Sequence, residues 1–260
     1  MKKISSGIRS RDLQTRLQAI NEAVAGDMRN TEIIESLISA LKYKQPEGWL
    51  AAGEALEKLA GPEAVPVLIK KLESSNPKII EICAELLGLL RAENAVEKLT
   101  LLLKDKRNMV RANVAESLGR IGCKESVPHL LEVLDDSDFI VQGLAVDALG
   151  WIGETSVKDR LNDMKSMTDN DWLNLHLSNT LYLLGDKTQY DNIRKHLFEG
   201  EWAAPAAQMI GYIGLDFPEH ERAELRDELE KYRESLNAAD YSGVIECLGE
   251  AIDRLRGIRK

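Results

Sequence analysis

Aromatic side chains are scarce in this sequence, at 5% of its 260 residues, and proline occurs only seven times. Strands draw on aromatic and β-branched residues, whereas the abundant Leu, Ala and Glu favour helices, so the balance points away from sheets. No apolar run approaches the roughly 18 residues of a membrane span. The start, Met1 to Gly7, carries positive charge with no apolar core behind it, because Arg9, Arg11 and Asp12 interrupt the next stretch. No signal peptide is expected. Cysteine is limited to Cys83, Cys123 and Cys247. Three thiols cannot all pair and none forms a Cys-x-x-Cys unit, which fits a reducing compartment, so the cytoplasm is the expected location.

Positive charge is in deficit. The net charge is −9 and the pI about 5.2. Phosphate backbones repel such a chain, and nucleic acid is not an expected partner. The charge is uneven, with a net of +3 over residues 1–44 and −5 over residues 201–235. Lys2, Lys3, Arg9 and Arg11 at the basic start either touch an anionic surface or form a solvated end. The four histidines, His129, His176, His196 and His220, are widely spaced and form no His-x-x-x-His pair. A metal site or proton relay needs converging ligands, so no catalytic residue, metal or cofactor is assigned.

What the sequence does have is a repeat. Valines at 65, 96, 127 and 157 are separated by 31, 31 and 30 residues. Each opens a stretch with apolar residues at i, i+3, i+4 and i+7, as in Val65, Leu68, Ile69 and Leu72, which is one stripe of an α-helix. Thr100 and Arg160 each break that stripe once. A second pattern precedes it. Val110–Gly122 aligns with Val141–Gly153, and both end in Leu-Gly-x-Ile-Gly. The ending returns as Ile210-Gly211-Tyr212-Ile213-Gly214 and, weakened, as Leu87-Gly88-Leu89-Leu90-Arg91. The last Gly is expected to end a first helix in the left-handed conformation, and the earlier Gly to admit a neighbouring helix. Asn76-Pro77 reads as an N-cap followed by Pro at the first helical position, and Asp138 as an anion at a helix start. Each unit is therefore helix, Gly turn, helix. Units fall at about 11–43, 45–73, 74–105, 106–136, 137–167, 168–200 and 201–235, with a closing helix near 240–257. The charged stretch Glu219 to Ser235 predicts a longer, more exposed second helix.

The Leu-Gly-x-Ile-Gly turn followed by a Val-x-x-Leu-Leu helix every 31 residues resembles HEAT-like repeats of the phycobilisome-lyase type. The resemblance covers nearly the whole chain and is clearest from 74 to 167. It implies an all-α fold, a right-handed α-solenoid of about seven stacked helical hairpins. Residues 1–260 would form one domain, with 1–10 a flexible or capping start and 236–260 a capping helix. The family includes phycobilin-attaching lyase subunits and many scaffolds without chemistry. Two other HEAT-like groups do not fit. Deoxyhypusine hydroxylase holds two irons with repeated His-Glu pairs, and this chain has only His220-Glu221. Alkylpurine DNA glycosylases need a basic concave face. Cys83 and Cys123 read as core-like helix positions.

Second helices normally line the concave side of such arrays. Their outward columns include Lys70, Leu101 and Glu132; Lys98 and His129; and Leu102 and Val133. The charge there is mixed. Leu101, Leu102 and Val133 stand where polar residues are expected. Either they form an apolar patch for a partner's helix or extended segment, or stacking buries them. Trp151 and Tyr212 occupy a position that is Arg120 in another unit, and read either as surface anchors or as packing at seams. These nine residues are the candidate partner-binding set. The expected function is a non-enzymatic scaffold or adaptor that binds another protein on the concave face. The alternative, resting on the resemblance alone, is a phycobilin lyase-like or lyase-assisting subunit handling a tetrapyrrole.

Overall fold

The computed structural model describes residues 2–199, 202–237, 239 and 241–257. Among these residues the chain forms sixteen α-helices linked by 3-10 turns and loops, with no strand. They divide into two compact units, Met1–Glu154 and Thr155–Lys260.

The first unit holds α1 (Lys2–Ile8), α2 (Leu13–Ala25), α3 (Thr31–Ala40), α4 (Pro46–Leu59), α5 (Val65–Lys71), α6 (Pro77–Leu89), α7 (Val96–Leu102), α8 (Asn108–Ile121), α9 (Val127–Val133) and α10 (Phe139–Ile152). Its long first helices start and stop for reasons written locally. Asn76 Oδ1 accepts from the Lys78 N–H at the head of α6, and Asp138 Oδ1 from the Ile140 N–H at the head of α10. Gly122 (φ 81°) and Gly153 (φ 75°) end α8 and α10 in the left-handed conformation. In α6 the same place is taken by Arg91, at φ 48°.

The loop before each of these helices repeats as well. The side chains of Ser74, Asp105 and Asp136 each accept the backbone N–H two residues on, at 3.1, 2.9 and 2.9 Å. A clamp then ties the helix to that loop. The fourth residue of α8, Arg111, donates to the Asp105 carbonyl at 2.8 Å, and the fourth of α10, Gln142, to the Asp136 carbonyl at 2.7 Å. Arg16, the fourth residue of α2, does the same to Ser10 at 2.7 Å. Arg16 is fully buried, stacks 4.3 Å over the Tyr43 ring and donates to Gln45 Oε1. A Cβ on Gly48 would come within 2.7 Å of its guanidinium, so that glycine makes room for the buried cation.

Successive first helices touch through small residues. A Cβ on Gly88 would meet the Ser117 Cα at 3.0 Å, and one on Gly119 would meet the Ala148 Cα at 2.5 Å. Ser117 and Ala148 are equivalent positions, one repeat apart, so each helix offers a glycine to the next and a small residue to the last. The second helices α5, α7 and α9 are short, seven residues each. Each follows a 3-10 turn, Pro62–Ala64, Glu93–Ala95 or Lys124–Ser126, which periodicity alone did not predict. Leu68, Leu99 and Leu130 anchor them and are fully buried. Each such side chain contributes about 1.5–3 kcal/mol.

The second unit holds α11 (Lys158–Met167), α12 (Asp171–Leu183), α13 (Tyr190–Glu199), α14 (Ala203–Ile213), α15 (Glu219–Ser235) and α16 (Ser242–Leu255). Leu175, Ile193, Ile210, Leu229, Leu248 and Ile252 build its core. Tyr190 packs edge-on against Phe217 at 5.3 Å between ring centroids. A Cβ on Gly211 would meet the Ala251 Cα at 2.8 Å, so here too a glycine admits the neighbouring helix. Gly214 departs from the expected left-handed stop. It is right-handed, at φ −64°, and leads into a further 3-10 turn. Its lack of a side chain serves packing instead, since a Cβ would lie 2.6 Å from Leu255 Cδ2. The charged helix α15 is 17 residues long and buries only Leu225 and Leu229. Cys123 also departs from expectation. It lies just past Gly122, outside the helix and half-buried, whereas Cys83 is in the core of α6.

Gly119→Ala should cost about 2–3 kcal/mol in urea unfolding, because backbone and not a flexible tip meets the new methyl. Gly122→Ala, with open space around it, should cost only about 1 kcal/mol of backbone strain. Equal losses would mean that α8 and α10 separate freely. Arg91→Gly removes a left-handed non-glycine residue and should raise stability by about 1 kcal/mol, read as a higher urea midpoint at constant slope.

Candidate functional site

The second helices of the first unit present the face that the sequence singles out. Between α7 and α9 lies a hollow of about 150 Å³, lined by Thr100, Leu103, Lys104, His129, Glu132, Val133 and Asp136. Thr100 stands where the neighbouring repeats have Ile69 and Leu131, and this shorter side chain helps open the hollow. That break in the stripe was the sequence signal for it. Lys104 carried no such signal, because it lies past the end of α7.

The structure brings three of the predicted residues together. His129 and Glu132 line the rim of the hollow and are exposed, while Val133 lies at its floor, 6% exposed. As part of a surface patch Val133 must be corrected, since packing of α9 takes its side chain into the interior. Leu101 is 68% exposed and Leu102 is half-buried. Neither lines the hollow, so the three apolar residues divide between solvent, seam and core.

The charges around the hollow are paired. Lys104 Nζ lies 3.2 Å from Glu132, both exposed, a contact of small energetic weight. Lys98 Nζ donates to Glu73 Oε1 at 2.5 Å. That bond and the Lys98 charge hold the Glu73 carboxyl below its ordinary range, with exposed Lys70 acting in the same direction. At the base, Arg111 forks onto both oxygens of Asp136, at 2.6 and 2.8 Å. Burial pushes the Asp136 carboxyl up, but the Arg111 bonds and the Asp138 N–H outweigh it and keep it low. On this face Lys98, Lys104 and Arg111 thus each meet a carboxylate.

Trp151 and Tyr212 sit on first helices. Trp151 is 45% exposed, with the Arg120 guanidinium 6.0 Å from its ring centroid. Tyr212, in the second unit, is 58% exposed under Arg254 at 4.1 Å. Neither joins the hollow.

No group of three or more His, Cys, Asp or Glu side chains among the described residues is placed to hold a metal. His129 is exposed, His176 packs against Trp172 at 4.0 Å, and burial lowers the pKa of His196. Burial pushes the Cys83 thiol up to about 12 and raises those of Cys123 and Cys247, so all three favour the protonated form. No helix among the described residues is long and apolar enough to cross a membrane.

Known proteins share this architecture. Residues 65–150 and 96–175 match the family described as HEAT repeats, and residues 50–74 match the PBS lyase HEAT-like repeat. No curated protein matches the sequence. Among solved structures, the complex of CpcE and CpcF of phycocyanin lyase from Nostoc sp. PCC7120 is similar with 18% identity and a TM-score of 0.54, over 99% of this chain and 94% of that one. Kap121p is similar with 13% identity and a TM-score of 0.63, over 99% of this chain and 33% of its own. At such identities the likeness is one of fold alone. The repeated helix pairs, the glycine-admitted stacking and the family matches converge: residues 50–175 are built of HEAT repeats, in a fold of the all-α solenoid class.

Proposed function

We propose that this chain is a non-catalytic, cytoplasmic scaffold that binds another protein across the face of its second helices. The observation that carries the reading is Leu101. It is a leucine 68% exposed at a repeat position, beside a hollow framed by His129, Glu132 and Lys104. An apolar anchor point beside a polar-rimmed hollow suits a partner side chain, with the rim supplying register. The solved relatives support a role in assemblies: CpcE and CpcF form a complex with each other. The thiols, held in the protonated form, suit a reducing compartment.

A second reading is favoured by two observations, the PBS lyase HEAT-like repeat at 50–74 and the fold likeness to the phycocyanin lyase complex over nearly all of both chains. In it the chain assists attachment of a tetrapyrrole, with a partner subunit supplying what the protonated thiols here do not.

Leu101→Asp should leave thermal unfolding within about 1 kcal/mol of wild type, since the position is exposed. It should remove the partners recovered by affinity capture and mass spectrometry from native lysate. Identical recovery with the variant would sink this surface assignment. Half-buried Leu102 is the poorer probe, because a carboxylate there also disturbs packing. Mixing the protein and its captured partners with a bilin separates the readings: a shifted absorption band supports the second, and an unshifted band removes it.

A further inference from the structure

A different face of the first unit carries a second groove. It lies between the first helices α4 and α6, away from the second-helix hollow, and encloses about 180 Å³. Trp49, Leu50 and Ile82 form its apolar wall, and Glu54, Glu57 and Glu85 its carboxylates. Leu50 is 52% exposed, with the exposed carboxylates Glu47 and Glu54 one turn to either side on α4. Small-molecule sites usually enclose about 300–1,000 Å³. This groove is smaller and open along the helices, and it suits single side chains of an extended segment.

The charge selects the occupant. Three carboxylates line the groove against one cation, Lys78. Lys78 is already engaged, 4.9 Å over the Trp49 ring and 3.8 Å from Glu81. Arg120, the next nearby cation, is bound to Glu116 at 2.7 Å. Glu85 is half-buried. Burial pushes its carboxyl up, and the charges of Glu57 and Glu116 push the same way, against a smaller opposing pull from Arg120 and Lys78. The groove therefore holds an excess of negative charge, three carboxylates to one ammonium, beside an aromatic ring that already tolerates an ammonium group. Nucleic acid and acidic segments are repelled from such a lining. A cation with an aliphatic neighbour satisfies both walls.

We infer that the α4–α6 groove docks a basic, leucine-bearing peptide segment of another protein, separately from the second-helix face. Packed helix axes lie about 8–10 Å apart, and an extended chain rises about 3.3 Å per residue. A segment crossing the first helices then meets one helix about every three residues. The test uses a fluorescein-labelled nonapeptide of arginine, leucine and glycine repeated in that order, followed by anisotropy at about 0.15 M salt. The full chain should bind it saturably, and Leu101→Asp should bind it equally well. The pair Glu57→Gln with Glu85→Gln should weaken binding roughly tenfold or more. Leu50→Ser, at an exposed position that leaves the fold intact, should weaken it through the apolar wall alone. Glu224→Gln with Glu234→Gln, on exposed positions of α15, should leave affinity unchanged. Loss of affinity in that control pair equal to the loss in the groove pair would mean general attraction to an acidic protein and would overturn the assignment. So would absence of saturable binding, or wild-type affinity in both groove variants.

Discussion

The stacking of α6, α8 and α10 depends on how closely one first helix can approach the next. A Cβ would lie 2.5 Å from the facing backbone at Gly119, too close to fit, and 3.0 Å from it at Gly88, a tight contact. Glycine in a helix interior costs propensity, about 1 kcal/mol against Ala. It persists here because the contact brings two helices together along much of their length, burying the flanking apolar residues. Once that spacing is set, the 31-residue step results, because each helix is both guest and host in the same register.

The clamps enforce the register from the other end. Arg111 and Gln142 tie the heads of α8 and α10 to the carbonyls of the loops that precede them, while Asp105 and Asp136 hold those loops' own N–H groups. One residue type changes, from Arg to Gln, while the bond survives. The geometry of the turn, more than the charge, is what these positions supply. Asp136 then has a double role, as turn acceptor and as counter-ion to Arg111, which explains why the floor of the second-helix hollow carries no uncompensated charge.

The two faces consequently differ in chemistry. On the second-helix side the helices are only seven residues long, so one short side chain, Thr100, helps open a hollow and leaves Leu101 outside. Ions there are paired. On the first-helix side the long helices α4 and α6 bring three carboxylates from neighbouring repeats together with one cation, Lys78, among them. The contrast comes from helix length and from where the repeat places glutamate.

Periodicity by itself determined the helices, their pairing, the left-handed stops at Gly122 and Gly153, and the core stripe of each second helix, because these depend on spacing along a chain that obeys helical geometry. The candidate surface was less legible. Leu101, Leu102 and Val133 share one apolar character in the sequence, yet one is exposed, one half-buried and one interior. Which holds depends on how α7 packs on α8 and α9 on α10, and no single helix encodes that. The 3-10 turns were invisible for a related reason, being set by how the chain must enter each second helix. Gly214 shows the same limit: the motif matched, but its glycine serves contact with Leu255 from α16, a residue distant in sequence. Local pattern decided where helices begin, end and face inward. Only the tertiary structure decided which apolar and charged side chains remain for a partner, because that is fixed by the distance between helices and not by the order of residues within them.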